Sequence, residues 1–159
     1  MSRSRKSPPK NLPMLPDHPP LITFTIQLRS RYSETDKMGY VYHGRFLEYF
    51  EVARTEFIRE AGLPYKELED KGIMLPVRRA EMEFKRPVFY DELIDVSMIL
   101  YEDPDVRLNT YYKITTADSQ KPNVTGRVQL VFVDYHSRRP IDAPDEFIEG
   151  IHRYKQNHG

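Results

Sequence analysis

The chain has 159 residues, and its 24 Lys and Arg balance 24 Asp and Glu, with no cysteine and no tryptophan; one domain is the default at this length. Neutrality argues against bulk nucleic-acid binding, which needs an excess of cations, and the missing cysteine excludes a disulfide framework, a thiolate zinc site and a cysteine nucleophile. No stretch approaches the roughly 18 apolar residues of a membrane helix, and the basic N-terminus lacks the apolar core of a secretory signal, so a cytoplasmic protein without stable membrane insertion is expected.

The neutral total hides a split. Arg3, Arg5, Lys6 and Lys10 against Asp17 give residues 1–20 a net charge of +3 and leave −3 for the rest. The same segment holds Pro8, Pro9, Pro13, Pro16, Pro19 and Pro20. Proline fixes φ and removes a backbone donor, so residues 1–20 read as a Pro-rich basic arm. Residues 21–159 read as the domain proper.

Residues 21–31 alternate, with Ile22, Phe24, Ile26 and Leu28 opposite Thr23, Thr25, Gln27 and Arg29, the pattern of a half-buried strand. Residues 32–43 lose the alternation and contain Gly39, which predicts a structured loop. From Gly44 to Ala61 the period becomes helical: Phe46, Phe50, Ala53, Phe57 and Ala61 make a stripe that Leu47 and Ile58 widen. Gly62 and Pro64 supply the stop. Glu51, three residues before Arg54, predicts an ion pair on the helix surface.

Four strands are predicted next, over 77–86, 93–101, 106–116 and 124–135. The last is the most apolar and is expected at the sheet centre. Tyr111 and Tyr112 are expected to pack in the sheet. A short terminal helix is predicted over Phe147–Tyr154. The order β-α-β-β-β-β gives an α+β fold, one long helix against a mainly antiparallel five-stranded sheet.

The glycines form no dinucleotide, P-loop or serine-hydrolase signature. The five histidines form no HxxxH pair, which leaves a zinc hydrolase unsupported. The unusual segment is Arg31 to Gly44, between the first strand and the long helix. A loop entering a helix N-terminus presents unpaired N–H groups. Such donors stabilise a carbonyl oxyanion, each by about 3 kcal/mol. Asp36 on the same loop could attack that carbonyl or deprotonate a water beside it; its other reading is ordinary turn chemistry.

The run YSETDKMGYVYHGRFLEYFEVARTEF resembles the hotdog-fold acyl-CoA thioesterases, in particular the branch of 4-hydroxybenzoyl-CoA thioesterase and the YbgC-like enzymes. Asp36, Gly39, Val41, Tyr42, His43, Glu51, Ala53 and Arg54 match the pattern, and the likeness continues through Phe84-Lys85-Arg86-Pro87, Asp91-Glu92-Leu93 and Val131–Asp134. The resemblance covers about residues 21–150 and implies a hotdog fold, a sheet wrapped around a central helix. It implies an acyl-CoA thioesterase with no metal and no cofactor beyond the coenzyme A of its substrate. Asp36 would then be the nucleophile or general base, the His43 N–H would polarise the thioester carbonyl, and the His43 side chain and Tyr32 would orient the reactants. Gly39, Val41, Tyr42 and Gly44 would line the substrate site, and Lys85 and Arg86 would meet coenzyme A phosphates. The family also implies a homodimer with one continuous sheet, often doubled to a homotetramer. The competing reading is a non-catalytic or acyl-carrier-protein-binding module on the same scaffold.

Overall fold

A computed structural model describes residues 14–63, 65–117 and 119–158. Most of the predicted arm (residues 1–13) and Pro64 lie outside the described residues; residues 14–20 form neither helix nor strand.

Strand β1 (Ile22–Arg29) opens the domain and alternates as its sequence predicts. Helix α1 (Arg45–Glu60) follows. It closes where Gly62, at φ +84°, turns the chain and donates to the Arg59 carbonyl, a conformation that costs glycine little. Then come a short helix α2 (Tyr65–Asp70), β2 (Ile73–Met74), β3 (Val77–Phe84), β4 (Leu93–Leu100), β5 (Arg107–Thr116), β6 (Val124–Val131), β7 (Val133–Asp134) and α3 (Asp145–His158).

The main sheet has the order β1-β4-β5-β6-β3, and every pairing in it is antiparallel. The registers connect one row across the inner face: Phe24, Met98, Tyr112, Gly126 and Met82. Helix α1 lies over this row. Its Phe50 ring stacks on Tyr112, with centroids 4.3 Å apart and planes at 13°. Gly126 makes room for that stack: a Cβ there would meet Phe50 Cζ at 2.7 Å. Phe57 meets Phe24 at 5.7 Å, and Tyr154 of α3 meets Phe57 at 5.2 Å. Each large apolar side chain buried in this way contributes about 1.5–3 kcal/mol.

Five expectations need correction. The central strand is β5; the most apolar strand, β6, lies one place from the edge. Its apolar run reflects cover on the helix side and partly covered neighbours outside, where Thr125 and Gln129 are also buried. The stretch 124–135 is interrupted, because Phe132 turns fully inward between β6 and β7 and donates its N–H to the Val106 carbonyl. Leu47 is exposed, whereas Tyr49 is buried. Arg54 makes no ion pair with Glu51 among the described residues. It is buried, and donates from Nε to the Tyr65 hydroxyl at 3.1 Å and from Nη1 to the Tyr112 hydroxyl at 3.0 Å. Helical spacing allows an i,i+3 pair, but the packing of α1 turns Arg54 toward the sheet. Terminal helix α3 is also longer than expected, running from Asp145 to His158.

Candidate active site

The loop between β1 and α1 is built as a small hairpin. Thr35 bridges to Val41, and the Asp36 N–H donates to the Tyr40 carbonyl at 2.7 Å. Between them Gly39 takes φ +79° and donates to the Asp36 carbonyl. Asp36 Oδ1 accepts the N–H groups of Met38 at 2.9 Å and Tyr40 at 3.2 Å. The turn thus fixes one carboxylate oxygen. Oδ2 has no hydrogen-bond partner among the described residues.

The loop then feeds the helix entrance. The Tyr42 N–H donates to the Glu34 carbonyl at 2.8 Å, and the Tyr42 ring packs on His43 with centroids 4.2 Å apart. Gly44 is the N-cap of α1 and makes no side-chain cap. Among the described residues the N–H groups of His43 and Gly44 have no acceptor, so they remain available at the positive end of the helix dipole.

A cavity of about 280 Å³ opens at this place, lined by Asp36, Tyr40, Val41, His43, Phe46, Phe84, Lys85, Arg86, Pro87 and Val88. It joins two segments far apart in sequence, 36–46 and 84–88. The Val41 N–H donates to the Val88 carbonyl at 2.7 Å, which ties the loop to the β3–β4 connection. Asn123 fixes that connection: its carbonyl accepts the N–H groups of Lys85 and Arg86, and its side chain donates to the Pro87 carbonyl.

Five of the expected site residues therefore share one cavity: Asp36, Val41, His43, Lys85 and Arg86. Gly39 and Tyr32 instead line a second cavity, of about 670 Å³, with Thr35, Lys37 and Tyr90, and Asp36 borders both spaces. Tyr32 is 77% exposed and meets Tyr90 edge-on. Tyr42 flanks the entrance through His43. Phe46, expected from the sequence to shape the pocket, does line it; sequence reasoning missed Tyr40 and Phe84 as lining residues, and it missed Asn123 and Glu34 as supports. For Phe84 the signal was available, since an aromatic directly before Lys85-Arg86 must accompany them. Buried Asn123 and Glu34 leave no periodic signal.

Glu34 is 5% exposed. Its Oε1 accepts the Tyr49 hydroxyl and the Arg31 N–H, each at 2.8 Å. Burial, and then the negative Glu34 carboxylate that accepts its hydrogen bond, hold the Tyr49 phenol well above the ordinary tyrosine range. Among the described residues no three His, Asp or Glu side chains gather as a metal site would require, and no helix is long and apolar enough to cross a membrane.

A description of the thioesterase-like superfamily matches residues 30–151. The chain belongs to that superfamily. It is 39% identical over 79 residues to a protein named as an esterase in Aquifex aeolicus (strain VF5); the match takes in 50% of this chain and 62% of that one, less than two thirds of the relative's length. It is 26% identical over 133 residues to the acyl-CoA thioesterase YbgC of Haemophilus influenzae, covering 83% of this chain and 96% of that one. Among solved structures, the DHNA-CoA thioesterase of Staphylococcus aureus superposes with a TM-score of 0.76 at 28% identity, covering 84% of this chain and 91% of the other. The thioesterase-like superfamily is thus represented here by a hotdog fold, a five-stranded antiparallel sheet around α1.

Proposed function

We propose that this protein hydrolyses acyl-CoA thioesters to the free acid and coenzyme A. The observation that carries the reading is one cavity bordered by a carboxylate, Asp36, and by the entrance of α1 at His43, whose N–H is unpaired among the described residues. In this reading the thioester carbonyl oxygen lies against the His43 and Gly44 N–H groups, which stabilise the charge that develops on it. Asp36 acts through Oδ2, the oxygen its turn leaves free, either by attacking the carbonyl to form a mixed anhydride or by deprotonating a water that attacks it. The C–S bond then breaks and coenzyme A leaves as the thiolate; on the anhydride route a water next hydrolyses the anhydride, releasing the free acid and restoring the Asp36 carboxylate. Lys85 and Arg86 at the cavity mouth supply cations for the coenzyme A phosphates. Tyr32, across the second cavity that Asp36 also borders, orients the reactants from that side.

We also propose a homodimer joined through β3. Among the described residues that strand pairs only with β6, and its last residue, Phe84, is exposed, as are Tyr42 and Phe89; an unpaired edge with exposed aromatics favours a second copy.

Thiol release measured over short, long, branched and aryl acyl-CoAs, with wild type and Asp36→Asn, tests the activity. The expected result is a loss of about 100-fold or more in kcat at an unchanged melting temperature. Release undiminished by the substitution removes Asp36 from the mechanism. A folded protein that releases thiol from none of these substrates overturns the hydrolase reading in favour of a binding module.

A further inference from the structure

Asp36 is held within its own turn, by Met38 and Tyr40. Those bonds fix the carboxylate relative to the loop but not relative to α1, whose entrance would receive the oxyanion. The links from Val41 to Val88 and from Tyr40 to Phe89 tie the loop to the β3–β4 connection, again not to the helix. Main-chain bonds from Arg45 to Tyr42 and from Phe46 to His43 join the end of the loop to the helix, but they do not reach the stretch that carries Asp36, whose relation to α1 is set by another contact.

We infer that Glu34 is a positioning residue that locks the Asp36 loop to helix α1. The inference rests on the hydrolase reading above. Three bonds converge on Glu34. Its side chain accepts the hydroxyl of Tyr49, in the second turn of α1, and the Arg31 N–H at the start of the loop. Its main-chain carbonyl accepts the Tyr42 N–H, one residue before His43. One buried residue, two positions before Asp36, thereby grips the beginning of the loop, its end and the helix. The Arg31 guanidinium stands 3.6 Å from the second carboxylate oxygen.

A buried carboxylate costs desolvation that an apolar side chain of similar size avoids. What it supplies in exchange is direction: a phenol donated to a carboxylate fixes distance and angle, whereas apolar packing tolerates sliding. Misplacement by about 1 Å is enough to lower a rate about 100-fold. A clamp of this kind therefore acts on kcat, with little effect on how tightly the thioester is held.

The test uses the full-length protein as wild type, Glu34→Ala, Glu34→Gln, Tyr49→Phe and Asp36→Asn. Thiol release is measured well below each melting temperature, and amide exchange is followed at Tyr42. Tyr49→Phe and Glu34→Ala are expected to lower kcat about tenfold or more with KM within about twofold. Glu34→Gln keeps an oxygen for Tyr49 and the Arg31 N–H, and should stay within about threefold of wild type. Exchange at the Tyr42 amide should rise about tenfold in Tyr49→Phe, with β5 and β6 unchanged. Wild-type kcat in folded Tyr49→Phe, or a loss of melting temperature alone, overturns the clamp. Should Glu34→Ala not fold, the contrast between Tyr49→Phe and Glu34→Gln decides. Failure of the hydrolase reading looks different: Asp36→Asn then retains full release, or wild type releases nothing, while Tyr42 exchange still reports whether Glu34 grips the loop. Unchanged exchange in Tyr49→Phe overturns the inference whatever the activity.

Discussion

Arg54 donates to the hydroxyl of Tyr112 across the middle of the core, from α1 to β5, at 3.0 Å. The guanidinium is buried and its second phenol partner is Tyr65 of α2, so one cation joins helix, sheet and the following helix. Truncating it leaves the buried Tyr112 hydroxyl and the half-buried Tyr65 hydroxyl without their donor, and a cavity between three elements. Arg54→Ala should cost about 3–4 kcal/mol, and Tyr112→Phe, which keeps the ring stack on Phe50, about 1–3 kcal/mol. Urea unfolding of both variants measures the order; equal stability of Arg54→Ala and wild type would exclude the bridge as a structural tie.

Alkaline pH should unfold the protein through its buried phenols. Burial raises the pKa of Tyr112 and Tyr65 above the ordinary 10, even against the lowering effect of Arg54, and raises that of Tyr49 too, with help from Glu34. Above pH 10 the unfolded chain has lost these protons while the native state keeps them. The native state then binds more protons, so stability falls as pH rises. It is fully present below pH 10 and declines from there toward the folded-state values, by up to about 1.4 kcal/mol per pH unit for each such tyrosine. Absorbance at the phenolate band against circular dichroism provides the check. Three tyrosines should ionise only together with loss of structure, and smooth titration of all eleven in a folded protein contradicts the prediction.

Gly126 should tolerate no side chain while Phe50 stays in place. A methyl group there meets Phe50 Cζ at 2.7 Å and lies closer still to Cε2, and neither partner has room to retreat, since Phe50 is stacked on Tyr112 and Gly126 is held in the ladder between β5 and β3. Gly126→Ala is expected to cost about 1–3 kcal/mol. Phe50→Leu also destabilises by itself, yet the double variant should lose less than the sum, by roughly 0.5–2 kcal/mol. Strict additivity in thermal unfolding would show that the two sites do not touch in solution.

Lys85 and Arg86 should act on binding rather than chemistry. Replacing both by Ala is expected to raise KM for an acyl-CoA roughly three- to thirtyfold, with kcat nearly unchanged and the difference shrinking in high salt. An acyl-pantetheine, which carries no nucleotide phosphates, should not distinguish the variant from wild type. A matching KM change for both substrates assigns the pair to another task.

The order of β1, α1 and the four later strands is legible in the chain because each element carries its own period. Alternation in Ile22–Leu28 and a helical stripe from Phe46 to Phe57 record which side of each segment meets the core. Asp36, Gly39 and His43 are legible too, since a tight turn next to a helix start constrains residues a few positions apart. Short segments such as α2, β2 and β7 leave too few residues for a period to show. Periodicity also placed Leu47 inside and Arg54 outside, because it counts residue types and is blind to which neighbour lies opposite.

Tertiary structure alone decided what is opposite what. Strand order put β5, and not the more apolar β6, in the middle of the sheet, because apolarity reports cover on each face and not position along the sheet. The registers brought Tyr112 and Gly126 beneath Phe50, and Arg54 found two phenols from segments 11 and 58 residues away. The same long-range contacts brought Lys85 and Arg86 to the cavity of Asp36 and placed Glu34 under Tyr49. A balanced charge and an absence of cysteine exclude chemistries by themselves, since composition is additive. Assembling a site depends on contacts between distant residues, and those exist only once the chain has folded.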